Sequence, residues 1–396
     1  MAVAIEWAHA MRPYNSNLLR KSGSPSPVYP HLKLLMHSSQ QSCPFSAGSM
    51  ITDPQFFVGR REELDFLTSR LVNDQPTSIN VVGERRIGKS SLLYHFFQTY
   101  EQRVQAAGKN PSNYVVVYLS LQAAQCRQET SFYQAVAQAL INRPVVQGNP
   151  ALVTPLQAGT LDRNGFSVAI EAWQAQNVLP VLCLDKFEEL LAKPDQFTDE
   201  FYDNLRSLMD RNALMLVIAS YRNLDVYKRK YRFLSSFFNL GQVLPVGGIT
   251  EIEATDLIRL PENKIPGATA ALSSERQQLG LAWGGRHPLL LQLAGLWLWE
   301  AQKHSRPDEW ARQKFELEAQ RVPDSGVTMR RLSRPVRWLV WLPMKLGRMA
   351  RLVGDKLDDT SNLIAGTVIL IVAILVILKI VPFEELLQQI KNAVGG

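Results

Sequence analysis

Gly83-Glu84-Arg85-Arg86-Ile87-Gly88-Lys89-Ser90 fits the pattern G-x-x-x-x-G-K-[ST] at every fixed position. Just before it, Thr77-Ser78-Ile79-Asn80-Val81-Val82 reads as a short β-strand. Just after it, Ser91-Leu92-Leu93-Tyr94-His95-Phe96-Phe97 reads as the opening of a helix. Strand, loop and helix in that order are the context the pattern needs to bind phosphate. Glycines at 83 and 88 let the loop curl so that its N–H groups face an anion. The helix that follows adds the positive end of its dipole. In this reading Lys89 reaches the β- and γ-phosphates, the hydroxyl of Ser90 ligates Mg²⁺, and residues 83 to 91, Ser91 included, form the cradle.

Working outward, order is expected from residue 55. Leu64, Leu67 and Leu71 after Phe57-Val58-Gly59-Arg60 share one helical face. Tyr114–Leu119, Val178–Leu184 and Leu214–Ala219 are apolar runs of strand length. Helices are expected at 131–141, 166–175 and 197–210, and the Pro-, Gly- and Asn-bearing stretch 142–165 reads as a loop or insertion. Alternating strands and helices of these lengths predict a parallel α/β sheet over 55–248. From 249 to 305 the pattern turns helical only. Thr250-Glu251-Ile252-Glu253 has the form of a capping box, and further helices are expected near 271–282 and 288–303. This stretch is expected to be a small lid.

A phosphate-loop site needs an acid near Mg²⁺. Asp185 stands at the carboxyl end of an apolar strand, the edge where open α/β sheets collect ligands. Ser220 and Arg222, just past the 214–219 strand, are candidates to sense the γ-phosphate. Arg85 and Arg86 are open to phosphate, an acidic partner or solvent.

Four segments together resemble AAA+-related signal-transduction ATPases, the STAND group and the archaeal-type ATPases. They are Phe57-Val58-Gly59-Arg60-Arg61-Glu62-Glu63-Leu64, the phosphate loop with its paired arginines, Leu184-Asp185-Lys186-Phe187-Glu188-Glu189-Leu190, and Gly284-Gly285-Arg286-His287-Pro288-Leu289-Leu290-Leu291-Gln292. The resemblance spans about residues 55–305. It implies an AAA+-like P-loop NTPase fold, ATP and Mg²⁺ as ligands, Asp185 as the Walker B acid and Pro288 beside the adenine. Two residues depart from the pattern. Lys186 stands where the family usually has a water-polarising glutamate, and a protonated ammonium is no general base. Glu188 or Glu189 is the available substitute, and Lys89, Asp185 and Glu188 form the candidate catalytic set. Arg286 stands where glycine is more common.

The 396 residues carry a net charge of +7. Seven cations and no acid lie in 327–354 (Arg330, Arg331, Arg334, Arg337, Lys345, Arg348 and Arg351), and elsewhere 36 basic residues face 36 acidic ones. A uniformly basic nucleic-acid-binding domain would not look like this. The local basic block instead suits an anionic leaflet, with membrane lipid as partner, or a solvated topogenic linker. It precedes Leu363–Leu378, which holds no charge. With its apolar extension to 383 that run is long enough, at about 20 residues, to span a bilayer. The expectation is one transmembrane helix over 361–383, a basic juxtamembrane segment over 306–360, and a short outside tail at 384–396. The bulk of the chain would then be cytoplasmic by the positive-inside rule.

Residues 1–54 are rich in Ser, Pro, Gln and His, with Glu6 as the sole acid before Asp53. Disorder, a transit segment, and a true start at Met50 all fit. The three cysteines show no metal or redox spacing, and the six histidines are scattered. Trp283, Trp297 and Trp299 suit lid packing or a partner surface. The sequence therefore supports a membrane-anchored, ATP-dependent switch acting on a protein partner, with self-association open. The alternatives are a nucleotide-binding scaffold that does not hydrolyse and, more weakly, a DNA-handling ATPase.

Overall fold

The computed structural model describes residues 42–157, 161–240 and 242–322. In chain order the elements are α1 (Arg61–Leu71), β1 (Ile79–Val82), α2 (Lys89–Ala106), β2 (Tyr114–Ser120), α3 (Glu129–Ile141), α4 (Pro144–Gln147), α5 (Pro150–Gln157), α6 (Arg163–Ala175), β3 (Leu179–Asp185), α7 (Glu188–Leu191), α8 (Asp199–Asp210), β4 (Met215–Ser220), α9 (Leu224–Tyr231), β5 (Gln242–Pro245), α10 (Glu251–Ile258), α11 (Ser274–Gly284), α12 (Pro288–Lys303) and α13 (Asp308–Ala319). The five strands form one parallel sheet in the order β2-β3-β4-β1-β5. The expected parallel α/β sheet is present, and β5 is an edge strand that the hydrophobic pattern did not announce.

Alternation along the strands explains why both sheet faces are covered. Val115, Val117, Leu182, Leu184, Leu216 and Ile218 enter a core with Phe132, Phe166, Trp173 and Phe201 from α3, α6 and α8. Val116, Val181, Cys183, Val217 and Ala219 point the other way, onto Leu64, Leu67, Leu92 and Phe96 from α1 and α2. Burial pushes the Cys183 thiol up, as expected of a small hydrophobe in a core. On the α2 face His95 stacks on Phe57, with ring centroids 4.0 Å apart and planes 9° apart.

That stack gives a pH-dependent term. Burial holds His95 near 4 against the ordinary 6.5. The unfolded chain therefore takes up a proton near 6.5 while the folded chain resists until about 4. The contribution is complete above 6.5 and is lost progressively as pH falls across that window. Allowing for partial solvent screening, it amounts to about 2 kcal/mol. His95→Phe keeps the stack and removes the proton. Its melting temperature should fall less than that of the wild type between pH 7.5 and pH 5, as followed by circular dichroism.

Within the stretch 142–165, read as a loop or insertion, two helices form, α4 and α5. Pro144 and Pro150 open α4 and α5, where a missing N–H costs nothing, and α5 is held by the Trp173 Nε1–H, which donates to the Leu152 carbonyl at 2.9 Å.

Order also begins earlier than residue 55. Phe45 is buried in the lid core, against Gly295 of α12, where a Cβ would strike its ring. Ser46 N donates to Gln292 Oε1 at 2.9 Å, and Ile51 N donates to Ser91 Oγ at 3.1 Å. Residues 43–51 thus form a strap from the lid to the phosphate-loop helix. Phe45→Ala removes a buried aromatic ring and should lower stability by about 3 kcal/mol in urea unfolding.

The lid is α10 to α12, and α10 opens with the expected capping box between Thr250 and Glu253. It extends past 305: α13 packs on α12 through Phe315, Ala319 and Val322. Trp283 meets Phe315, Trp297 meets Trp310, and Trp299 lies in the lid core, so the three tryptophans serve lid packing. Among the described residues no helix is long and apolar enough to cross a membrane. The expected span at 361–383, the basic block at 327–354 and the outside tail lie outside the described residues, as do residues 1–41.

Candidate functional site

β1 ends at Val82, and the chain turns through Gly83–Gly88 before α2 begins at Lys89. Arg86 at φ 67° and Gly88 at φ 102° take left-handed backbone. Such turns direct successive amides to one side, and Gly88 is the N-cap of α2, so amides and helix dipole meet at one concavity. Gly83 is needed for a different reason, because a Cβ there would strike the Val246 carbonyl oxygen beyond β5. Lys89 Nζ donates to the carbonyls of Gly83 at 2.6 Å and Glu84 at 2.7 Å, which lays the ammonium along the loop. Burial holds its pKa below the ordinary lysine value, opposed by the charges of Glu188 and Asp185.

Asp185 ends β3 and is buried. Tyr118 Oη, from β2, donates to Asp185 Oδ2 at 2.9 Å. Next in the chain, Lys186 adopts φ 59°, and its Nζ donates to Gln122 Oε1. The Gln122 amide in turn donates to Glu189 Oε1 at 3.3 Å. The ammonium of Lys186 and the carboxylate of Glu189 are both engaged by this glutamine. Glu188 is not. Its Oε2 is buried with no hydrogen-bond partner, and burial, reinforced by Asp185 and Glu189, raises its pKa against the pull of Lys89.

Lys89, Ser90, Asp185 and Glu188 all border one cavity of about 660 Å³. Arg85 and Arg86 are exposed and also border it, with Ile87, Gly88 and Ser91. Gly83 and Glu84 do not line it and act through the carbonyls that hold Lys89. The lid contributes Pro288, at the first turn of α12, together with Leu257, Leu289 and Gln292. Arg286 faces the segment between sheet and lid instead: its Nε donates to Ile249 O at 2.7 Å, and Ile249 N donates to Arg286 O at 2.9 Å.

Ser220 and Arg222 are not brought into the cavity. Ser220 is wholly buried, with its hydroxyl 2.8 Å from Asn80 Oδ1 and 2.7 Å from the Arg222 carbonyl. It ties β4 to β1. The Arg222 guanidinium lies 5.7 Å from the Tyr221 ring centroid.

Several lining residues carried no individual signal in the sequence. Arg60, buried at φ 62°, donates to Ile87 O at 3.0 Å and Gly247 O at 2.5 Å, and pairs with Glu63 at 2.7 Å. It clamps the phosphate loop to the chain entering the lid. Met50 and Ile51 of the strap, and Tyr118 and Gln122 from the end of β2, complete the wall.

Among the described residues no group of three or more His, Cys, Asp and Glu could hold a metal alone. The donor set suits Mg²⁺ all the same. That ion typically takes one or two protein oxygens and completes its shell with phosphates and water. Ser90 Oγ and Asp185 are two hard oxygen donors on one cavity.

Residues 50–310 match the family model described as Novel STAND NTPase 1. No curated protein matches the sequence. Among solved structures, a Walker-type ATPase of Pyrococcus abyssi is similar at 13% identity and TM-score 0.51, covering 80% of this chain and 91% of that chain. The Aeropyrum pernix ORC2 protein in its ADP form is similar at 15% identity and TM-score 0.48, covering 79% of each chain. At 13% identity the likeness to the Walker-type ATPase concerns the fold alone.

Proposed function

The chain belongs to the novel STAND NTPase 1 family, and from that premise we propose that it is a Mg²⁺-dependent ATPase whose nucleotide cycle works a membrane-tethered switch. One observation supports this reading: Lys89 of the phosphate loop, Asp185 at the end of β3, Glu188 with its buried and unpaired Oε2, and lid residues all border a single cavity. The loop amides and Lys89 hold the β- and γ-phosphates, and Ser90 and Asp185 hold Mg²⁺, which when bound neutralises charge on the phosphates. Glu188 accepts the proton of the attacking water. A carboxyl kept above its usual pKa is better matched to that task than a free one, because base strength rises with pKa. Lys186, held by Gln122, leaves this role to Glu188.

ATP spanning loop and lid would draw α12 toward the sheet and alter the surface offered to a protein partner, and hydrolysis would reset it. The 361–383 stretch would hold this domain at the cytoplasmic face of a membrane. The purified full chain in detergent should bind ATP only with Mg²⁺ and release phosphate. Absence of any Mg²⁺-dependent ATP binding would remove the proposal. Recovery of the intact chain in detergent-free soluble extracts would remove the tether.

The non-hydrolysing scaffold is the second reading, favoured by Lys186 at the position after Asp185. ATP retained without phosphate release, and no gain in Lys186→Glu, would select it.

A further inference from the structure

Tyr118 and Asp185 stand on neighbouring parallel strands, β2 and β3, and both border the nucleotide cavity. Tyr118 packs on the α2 side of the sheet, as does its partner in register, Cys183. Asp185 lies two residues beyond Cys183, so alternation brings the phenol and the carboxylate to the same face. Tyr94 of α2 meets the phenol ring edge-on, with centroids 5.2 Å apart and planes at 88°. The Tyr118 hydroxyl has a single proton and two acceptors near it, Asp185 Oδ2 at 2.9 Å and Met50 Sδ at 3.4 Å. A carboxylate is the stronger acceptor and a thioether a weak one, so the proton goes to Oδ2. Burial, reinforced by the charge of Asp185, holds the Tyr118 pKa well above the ordinary tyrosine value, and the phenol stays a donor. The other carboxylate oxygen, Oδ1, receives no hydrogen bond from any described residue and yet, unlike Glu188 Oε2, is not sealed inside the protein. It is the Asp185 oxygen left for a ligand in the cavity.

We propose that Tyr118 is the positioning residue that sets the metal preference of the site: by holding Asp185 through Oδ2 it keeps the carboxylate to coordination through Oδ1 alone and so favours Mg²⁺ over Ca²⁺. The inference rests on the nucleotide-binding reading above and adds to it how the ion is chosen. Mg²⁺ is small, demands near-octahedral order and takes few protein oxygens, whereas Ca²⁺ is larger and accepts a carboxylate through both oxygens in a looser shell. A carboxylate tied to a fixed phenol cannot swing to present both oxygens without breaking that bond. It therefore suits the first ion and withholds from the second the bidentate contact that would favour it. Tyr118 touches neither the ion nor the phosphates in this role; it acts through Asp185.

The test measures ATP affinity of the full chain in detergent by calorimetric titration, with Mg²⁺ or Ca²⁺ as the sole divalent ion. Wild type should bind at least about tenfold more tightly with Mg²⁺, the value of one hydrogen bond to a charged group. Tyr118→Phe keeps the ring against Tyr94 and loses only the hydroxyl, and thermal melting of the same sample should show it folded. With the carboxylate free to swing, its affinity with Mg²⁺ should fall about tenfold while that with Ca²⁺ holds or rises, so the preference disappears. A variant that loses affinity equally with both ions would show a merely structural contact and overturn the proposal. So would a wild type that binds equally well with either ion, an outcome readable whatever the variant does. A wild-type chain that binds ATP with neither ion would instead remove the nucleotide-binding reading itself.

Discussion

Lys89→Ala should weaken ATP binding about 100-fold and bring phosphate release to background. The phosphate loop itself anchors this ammonium, through the carbonyls of Gly83 and Glu84. A charge-assisted bond of this kind contributes about 1.5–3 kcal/mol, and each 1.4 kcal/mol is about tenfold in affinity. Arg85 and Arg86 are exposed at the cavity edge and do not replace it, since neither is held against the loop. The fold should survive, because the two carbonyls released by the substitution lie beside a cavity that water can enter. Calorimetric titration with MgATP, alongside thermal melting of the same sample, separates lost binding from lost structure. Wild-type affinity in the variant would refute the assignment of the loop.

Glu188→Gln should lower turnover about 1,000-fold and leave MgATP affinity within a few-fold, since general bases contribute about 10²–10⁴. The amide keeps the size and burial of the carboxyl and loses its basicity. The pH profile adds a second reading. Burial raises the Glu188 pKa, so the acid limb of wild-type turnover should be shifted upward from that of a free glutamate, with activity rising as the group loses its proton. Glu189→Gln is the control: that carboxylate is engaged by Gln122, and its loss should change turnover less than about fivefold. If Glu189→Gln silences the enzyme and Glu188→Gln does not, the base has been misassigned.

How much of this was legible in the sequence depends on how local the deciding interaction is. β2, β3 and β4 are unbroken β-branched or apolar runs, and the phosphate loop carries its own glycines, so both could be read from neighbouring residues alone. β5 could not. It is four residues long at the sheet edge with only Leu244 buried, and it is held by its pairing with β1. Pro144 and Pro150 read locally as breakers, while in the fold they open α4 and α5; Pro155 lies inside α5, and Trp173 supplies the fixing contact from α6. The strap was invisible for the same reason: Ser46 meets Gln292 across 246 positions of sequence. At the site, Asp185 was legible from its place at a strand end. Ser220 has a similar place, but Asn80 draws its hydroxyl into the sheet. The sequence put Glu188 in the candidate set with Glu189 beside it as the other available carboxylate, and their hydrogen bonds differ: Glu189 is engaged by Gln122, while Glu188 Oε2 has no partner.

A polypeptide begun at Met50 would keep the 83–90 loop, Asp185 and Glu188. It would lack Phe45 and Ser46, the two points where the strap grips α12. Such a product should melt below the full chain, since α12 would have lost a buried ring and a backbone hydrogen bond to Gln292.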